Sequence, residues 1–471
     1  MDNEKAEKTP ADKLAELIYL EQELATIYGT LHKRHGTYFR PLSTYEIRRL
    51  VYDSHLKIAE NEKRSSGVIQ EIIYFLEVMN LTPPDKIEPL DSFPVKNGVL
   101  RIKNGKVIFC QSKKEIYTFQ GEVEYDEAVD TKTAEEFLEQ ILPSESNRKQ
   151  VLEALAFAML PVLRHSINYD VIIICYGVGA NGKSVLLNSM VQKIFGLSVS
   201  NVSLEAMNER FHLAGLLGKR INISTENRTN RISENAQLKA LTSGDMVSIE
   251  QKHKDPIFVR LYAVPFFAIN KEPAIGDISF AMKRRLHIIN FPNSFVDKPD
   301  PNRGNEYKAD PTLRDPASER TIAIQGGLLR LIAQTAERLC VEKEITPNDM
   351  EAITLGQLKT SHIRQFIDET FVLDYTGVIE SAKVHEIYIQ WCGQQGIYDE
   401  NSGNGKSRWT NPDDKYDKAQ KTPDRLSRQI LNFYPREVSR IKKDNTRCLK
   451  GLTLKEGALV DDLFEEKGSE E

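Results

Sequence analysis

The chain has 471 residues, of which 40% are hydrophobic and 28% charged, with a formal net charge of −5. This length predicts two or three domains. The balance of hydrophobic and charged residues is typical of a globular chain rather than a disordered or membranous one. The apolar runs are far shorter than a bilayer span, and the N-terminal stretch MDNEKAEKTPADK has no apolar signal core. These features predict a cytoplasmic protein with no membrane partner. The five cysteines form no CxxC pair, which argues against a zinc ribbon and a disulfide framework.

The first 165 residues predict two segments. Apolar residues at three- and four-residue spacing predict a mostly helical N-terminal region over 1–80, as in DKLAELIYLEQELATIY (12–28). A small α+β domain is predicted over 81–165. In it, strand-like residues flank the turn Asn104-Gly105, and a helical pair follows at about 133–163.

Strand-like and helical runs then alternate over 166–295, which predicts an α/β nucleotide-binding domain. Residues 290–320 are rich in Pro, Asn and Asp and predict a long loop. We therefore assign 296–374 as a linker with helices, 375–455 as a C-terminal domain and 456–471 as an acidic tail.

A phosphate-binding loop is predicted in CYGVGANGKSVLLNSM, because Gly177, Gly182, Lys183 and Ser184 match GxxxxGK[ST] between an apolar strand and a helix. The glycines would let backbone N–H groups wrap the phosphates. Lys183 would reach the β- and γ-phosphates of ATP, and the Ser184 hydroxyl would bind Mg²⁺. The alternative is a glycine-rich turn that matches by chance. A second GNGKS at 403–407 lacks the first loop glycine and a preceding strand, and predicts a flexible loop.

Three polar sites follow this loop. Glu226 ends the strand-like GKRINISTEN and could bind magnesium and polarise water; the alternative is a surface glutamate. Asn270 ends VRLYAVPFFAIN and could orient water against a γ-phosphate. Arg284 and Arg285 precede another apolar strand and could act in trans on the nucleotide of a neighbouring subunit, unless they are ordinary surface arginines.

A basic hairpin tip is predicted between the strand-like MVSI and IFVRL. It carries Lys252, His253 and Lys254, which could grip a nucleic-acid backbone inside a ring. The alternative is a simple solvated turn.

Taken together, GVGANGKS, LLGKRINISTEN, LKALTSGD, the KHK turn, PFFAINKEP and KRRL resemble a superfamily 3 helicase. Within this superfamily, the motifs are more narrowly similar to the helicase part of phage, plasmid and poxvirus-type primase-helicases and to replication initiators of phage satellites. It covers about 80–295 well and the C-terminal part weakly.

This resemblance implies an α/β P-loop, AAA+-like ATPase ring, usually a hexamer, that moves 3′→5′ along single-stranded DNA and separates strands. It implies an ATP-binding set that consists of Gly177, Gly179, Asn181, Gly182, Lys183 and Ser184. Glu226 would be the Walker B acid, Asn270 sensor 1, Arg284 or Arg285 the arginine finger, and Lys252, His253 and Lys254 the pore loop. Many members carry two adjacent acids at the Walker B end, whereas Asn227 follows Glu226 here. A single carboxylate would therefore serve both magnesium and water.

The C-terminal part is basic, with thirteen Lys and Arg against six Asp and Glu over 401–450. A helix at 422–434 with exposed Arg425 and Arg428 precedes a predicted hairpin that contains Lys442 and Lys443 and turns at Asp444-Asn445. This order is the layout of a winged helix and predicts binding of duplex or origin DNA. The alternative is a basic solvated face.

Three functions compete: a ring helicase of a phage or mobile element, acting on single-stranded and forked DNA; an origin-binding initiator that ATP switches without processive unwinding; and a small-molecule phosphotransferase. The third is disfavoured because it needs neither a trans arginine nor a basic pore hairpin. Residues 1–160 contain no DxD pair and no Cys/His zinc cluster, and His32 and His35 lack the His-x-His spacing. We therefore predict no primase and no nicking activity, and a separate primase as a partner.

Overall fold

The structure is a computed structural model. It describes residues 9–27, 30–58, 66–78, 82, 86–111, 115–209, 211–227, 231–233, 235–250, 256–276, 278–354, 362–394, 398–399, 408–409 and 422–455. The chain divides into two compact units. Unit one comprises 1–273 and 278–350, and unit two comprises 274–277 and 351–471.

The N-terminal part of unit one contains a sheet as well as helices. Its elements are α1 (Pro10–Glu21), β1 (Leu24–Ile27), β2 (Thr30–His35), β3 (Tyr38–Pro41), α2 (Thr44–Ile58) and α3 (Ser66–Val78). The strands form an antiparallel meander. The prediction of a helix through residue 28 is therefore wrong. Gln22 caps α1 and Glu23 takes a positive φ of 49°, after which all four residues of β1 are buried. The apolar residues of β1 satisfy a helical spacing and a fully buried strand equally well.

A second antiparallel meander and a helical pair follow, as the sequence predicts. They are β4 (Ser92–Val95), β5 (Gly98–Lys103), β6 (Lys106–Cys110), α4 (Lys132–Ile141) and α5 (Glu145–Met159). Asn104 and Gly105 have φ values of 51° and 77°. Two consecutive positive φ values make the tight two-residue turn that Asn-Gly favours, so the predicted hairpin is confirmed.

A five-stranded parallel sheet forms the centre of unit one. Its strands are β7 (Ile172–Tyr176), β8 (Val199–Ser200), β9 (Ile221–Ser224), β13 (Val264–Ile269) and β15 (Leu286–Asn290). They lie in the order β15-β7-β13-β9-β8, and every neighbouring pair is parallel. The predicted α/β architecture is confirmed.

The connections between these strands carry the smaller elements. They are a π-spaced turn (Val185–Val191) that continues into α6 (Gln192–Phe195), β10 (Arg231–Ile232), α7 (Ala236–Ser243), β11 (Met246–Ile249), β12 (Ile257–Arg260) and α8 (Phe280–Lys283). β11 and β12 pair antiparallel with Ile249 opposite Ile257. The predicted hairpin is thereby confirmed. Its tip, with Lys252, His253 and Lys254, lies outside the described residues.

The rest of unit one contains a short strand pair within the segment predicted as a long loop, followed by one long helix. β16 (Ser294–Val296) pairs with β17 (Glu306–Lys308), and α9 (Glu319–Glu342) follows. α9 packs against α4 and α5, and one continuous hydrophobic cluster joins these helices, the β4–β6 sheet and the parallel sheet. The predicted small domain and the nucleotide-binding domain therefore share a core.

Unit two combines helices with an antiparallel sheet. Its elements are β14 (Ala274–Ile275), α10 (His362–Thr370), β18 (Phe371–Glu380), α11 (Ser381–Gln394), β19 (Tyr398–Asp399), β20 (Arg408–Trp409), α12 (Pro423–Phe433), β21 (Ser439–Lys443) and β22 (Thr446–Leu454). The sheet order is β18-β22-β21. Asp444 and Asn445 have φ values of 49° and 65°, which confirms the hairpin predicted there. Within the described part of the chain, no helix is long and apolar enough to cross a bilayer.

A buried histidine makes the stability of unit one depend on pH. His287 of β15 is buried, and its Nδ1 lies 2.8 Å from Oε1 of Gln150. The amide nitrogen of Gln150 donates to Ser146 Oγ and to the Pro347 carbonyl. The oxygen is therefore the acceptor, and His287 Nδ1 donates to it. Burial lowers the pKa of His287 to about 4.

We expect unit one to lose stability as the pH falls below about 6.5, the pKa of an unfolded histidine. The unfolded chain then binds a proton that the folded chain takes up only near pH 4, so the loss reaches about 2 kcal/mol at about pH 5. Urea unfolding at several pH values measures this slope. His287→Asn should flatten the slope, whereas the matched variant at the exposed His165, His165→Asn, should leave it unchanged. Burial also lowers the pKa of His32 on β2, so part of the slope should remain. A slope equal to that of the wild type would contradict the role of His287.

Candidate nucleotide site

The predicted loop, the acid and the asparagine meet at one edge of the parallel sheet. Ile269 at the end of β13 is level with Tyr176 of β7, and Phe267 is level with Ser224 at the end of β9. Gly177, Glu226 and Asn270 follow these strand ends directly or within two residues. The carboxyl ends of parallel strands share an edge, which is where ligands bind in open α/β sheets. Glu226 and Asn270 are both exposed there.

Lys183 is turned into its own loop. It is 4% exposed, and its Nζ donates to the Gly177 carbonyl at 2.6 Å and to Oδ1 of Asn181 at 3.1 Å. Burial lowers the pKa of its ammonium group. Nδ2 of Asn181 is buried and has no hydrogen-bond partner among the described residues. An ammonium group and an unused amide donor therefore lie side by side, which suits an anionic oxygen.

Two glycines of the loop are required by close contacts. A Cβ at Gly177 would lie 2.0 Å from Nδ2 of Asn181, and one at Gly182 would lie 2.7 Å from Ile141. Gly182 also has a φ of 84°, which residues with a side chain rarely adopt. Gly179 has a φ of 66° in open space. The loop is thus held tightly at its ends and is open in the middle.

The helix after the loop starts with π spacing over Val185–Val191. Single π turns inside helices occur frequently at functional sites. Ser184, which directly precedes this turn, is exposed. Its hydroxyl and the Glu226 carboxylate are the oxygen ligands that Mg²⁺ prefers.

Asn227 follows Glu226 at the position where a second adjacent acid would complete the two-acid pattern. It has a structural role that the sequence did not reveal. Its Nδ2 donates to the carbonyls of Ser224 at 3.0 Å and Ala268 at 2.9 Å. Its Oδ1 accepts from Ser224 Oγ at 3.1 Å and from the Leu204 backbone N–H at 2.9 Å. The amide therefore ties the end of β9 to the end of β13 at the same edge as Glu226 and Asn270.

We expect Asn227→Asp to destabilise unit one rather than to improve the site. A carboxylate keeps the two acceptor contacts but cannot donate to the carbonyls of Ser224 and Ala268, and oxygens that face each other repel. The loss should be about 2 kcal/mol in the free energy of unfolding. Urea unfolding checks this, with Asn201→Asp at an exposed asparagine as the control. A variant of unchanged stability would show that the amide is dispensable.

The two predicted arginine-finger candidates lie at the opposite edge of the sheet. Arg284 and Arg285 precede β15, just as Asp170 precedes β7, and both contact Oδ2 of Asp170, at 2.7 Å and 2.9 Å. The structure therefore does not bring them to the loop of their own chain. Asp170 itself was not anticipated from the sequence.

These two arginines differ in accessibility. The Arg285 side chain is 6% exposed, and it also donates to Thr242 Oγ1, Ser243 Oγ and the Ala281 carbonyl. The Arg284 side chain is 46% exposed. Arg285 is thus buried and hydrogen-bonded within its own chain, whereas Arg284 is accessible to another molecule.

The predicted DNA-binding residues of unit two are all exposed. Arg425 and Arg428 lie on α12, and Lys442 and Lys443 lie at the end of β21. Arg440 and Arg447 lie on the same hairpin and were not singled out from the sequence, although the basic composition of 401–450 includes them.

Comparisons with known proteins relate two parts of the chain to described families. Residues 5–143 match a family model described as D5 N terminal like, and 175–285 match a family of unknown function, DUF5906. "Putative helicase L207/L206" of Acanthamoeba polyphaga mimivirus is 26% identical over 183 residues. Over that stretch the chain is similar to a putative helicase. The stretch covers 37% of this chain and 18% of its mimivirus relative, so the chain spans only a small part of that relative's length.

Two solved structures resemble this chain along most of its length. An apo structure of the NrS-1 C terminal region (305-718) has a TM-score of 0.51 at 13% identity and covers 95% of this chain and all of its own. The A form apo structure of the same region has a TM-score of 0.50 at 12% identity and covers 94% of this chain and all of its own. At these identities the likeness concerns the fold.

Proposed function

We propose that this protein is an ATP-dependent replicative DNA helicase of superfamily 3, which forms a ring and moves 3′→5′ on single-stranded DNA in a phage or other mobile element. The observation that carries the proposal is the common edge of the parallel sheet. There, the buried Lys183 and the unused donor of Asn181 share one edge with Glu226 and Asn270.

The residues at this edge suit ATP with Mg²⁺. Lys183 and Asn181 would hold phosphate oxygens together with the backbone N–H groups between Gly177 and Ser184. Ser184 and Glu226 would hold the magnesium ion, which neutralises charge on the phosphates when it is bound. Glu226 would also accept a proton from the attacking water, and Asn270 would orient that water.

The opposite edge suits a neighbouring subunit. Because Arg284 lies away from the loop of its own chain, it would serve the nucleotide of the next copy in a head-to-tail ring. The hairpin β11–β12 would carry Lys252, His253 and Lys254 into the pore, where they would contact the DNA backbone.

Unit two would bind duplex or origin DNA. Its elements α10, β18, α11, α12, β21 and β22 follow the order helix, strand, helix, helix, strand, strand, which supports a winged helix. The exposed basic residues of α12 and of the β21–β22 hairpin support contact with phosphates. A separate primase would be a partner of the helicase.

Strand displacement on a forked DNA substrate tests the proposal. We expect the wild-type chain to release the labelled strand only with ATP and Mg²⁺, and only when the fork carries a 3′ single-stranded arm. A substrate with a 5′ arm alone is the polarity control. ATP-dependent duplex binding without strand release would instead support the alternative, an ATP-regulated origin-binding initiator. Absence of both activities would refute both.

A further inference from the structure

A basic groove in unit two has the Asp424 carboxylate at its centre. The groove has a volume of about 600 Å³ and lies between the first residues of α11 and α12 and the β21–β22 hairpin. Among the residues that the structure describes, its charged lining consists of Arg428, Arg440, Lys442 and Arg447 against Asp424, a net charge of +3. We call it the Asp424 groove.

Asp424 contacts three of these four cations. Its Oδ2 lies 2.6 Å from Nη2 of Arg428, and its Oδ1 lies 3.3 Å from Nη1 of Arg440 and 3.6 Å from Nη1 of Arg447. Nη2 of Arg440 also donates to the Asp424 backbone carbonyl at 2.7 Å. One monovalent carboxylate thus gathers guanidinium groups from a helix and from both strands of the hairpin.

The basic side chains of the groove still have exposed N–H donors that could bind an anion from outside the protein. The Arg428 and Arg447 side chains are 69% and 77% exposed, and each guanidinium has five N–H donors. The two long helices also begin at the groove, at Ser381 and Pro423, and helix N-termini favour negative charge. A phosphate group matches this arrangement in charge and in its bidentate geometry.

We propose that the Asp424 groove binds a phosphate of the nucleic-acid backbone and that Asp424 competes with this phosphate for the arginines. Asp424 orders the arginines in the free protein and lowers the affinity, since the phosphate must share or displace the carboxylate. This inference rests on the proposed DNA-binding role of unit two and adds the residues that limit its affinity.

The first test is Asp424→Asn in the full chain, with anisotropy of a labelled duplex of mixed sequence and of the matching single strand, without ATP. We expect binding to be about five- to tenfold tighter. The slope of the logarithm of the affinity against the logarithm of the salt concentration should become steeper by about one, because one more counterion is released. The matched control is Glu386→Gln on α11, which removes the same charge. Glu386 is 61% exposed and its Oε2 lies 3.7 Å from Nζ of Lys383, and it is not among the described residues that line the groove. A gain of affinity cannot result from unfolding.

The second test is Arg447→Gln, which should weaken binding about three- to tenfold and remove most of the gain of Asp424→Asn in the double variant. Equal effects of Asp424→Asn and Glu386→Gln would overturn the groove while leaving DNA binding intact. If neither the wild type nor Asp424→Asn binds either DNA, the DNA-binding role of unit two fails with it. A gain with the single strand alone would assign the groove to single-stranded backbone.

Discussion

Replacing Lys183 by alanine is expected to abolish ATP hydrolysis and strand displacement together. The variant removes the buried ammonium group whose Nζ lies between the Gly177 carbonyl and Asn181. Charge that develops on the phosphates then has no fixed cation from the protein. Loss of one such preorganised group costs on the order of a hundredfold or more in turnover. Steady-state phosphate release measures the first effect, and the forked substrate measures the second.

The matched control for this variant is Lys193→Ala. Lys193 lies on the helix that follows the loop, but it is partly exposed and pairs with Glu122 at 2.6 Å. We expect near wild-type turnover and unwinding from it. If Lys183→Ala lost hydrolysis but kept strand displacement, ATP hydrolysis would not drive unwinding and the motor assignment would be wrong.

Much of the sheet and of its phosphate loop could be predicted from the sequence because both are local patterns. An apolar run, a glycine-rich turn and a helix follow one another within about twenty-five residues, and Asn-Gly and Asp-Asn mark two hairpins whose turns have the expected positive φ values. The N-terminal meander was missed because a short apolar strand directly after a helix carries no period of its own.

The roles of Asn227 and Arg285 could not be predicted because they depend on partners distant in the chain. Asn227 donates to Ala268, 41 residues away, and Arg285 donates to Thr242, 43 residues away. Only the folded sheet brings these groups together. From the sequence, Arg284 and Arg285 were equally good candidates for the arginine finger. In the structure the Arg284 side chain is accessible, whereas the Arg285 side chain is buried.

This difference predicts opposite results for the two arginines. Arg285→Ala should destabilise unit one by about 1.5–3 kcal/mol, because it removes a buried guanidinium that pairs with Asp170 and donates to Thr242 Oγ1 and Ser243 Oγ. Arg284→Ala should leave unfolding nearly unchanged and lower ATP turnover on the order of a thousandfold, as for an arginine finger. Urea unfolding and phosphate release give both values. The control is Arg49→Ala on α2, an exposed arginine paired with Asp53.

Mixing two inactive variants tests whether Arg284 acts on a neighbouring subunit. Lys183→Ala chains keep Arg284, and Arg284→Ala chains keep Lys183. In a head-to-tail ring assembled from equal amounts of both, about a quarter of the interfaces join an intact loop to an intact arginine. ATP hydrolysis should therefore recover to a similar fraction of wild type. Mixtures no more active than the separate variants would place Arg284 outside the hydrolytic site, because an intact arginine and an intact loop would then meet without effect.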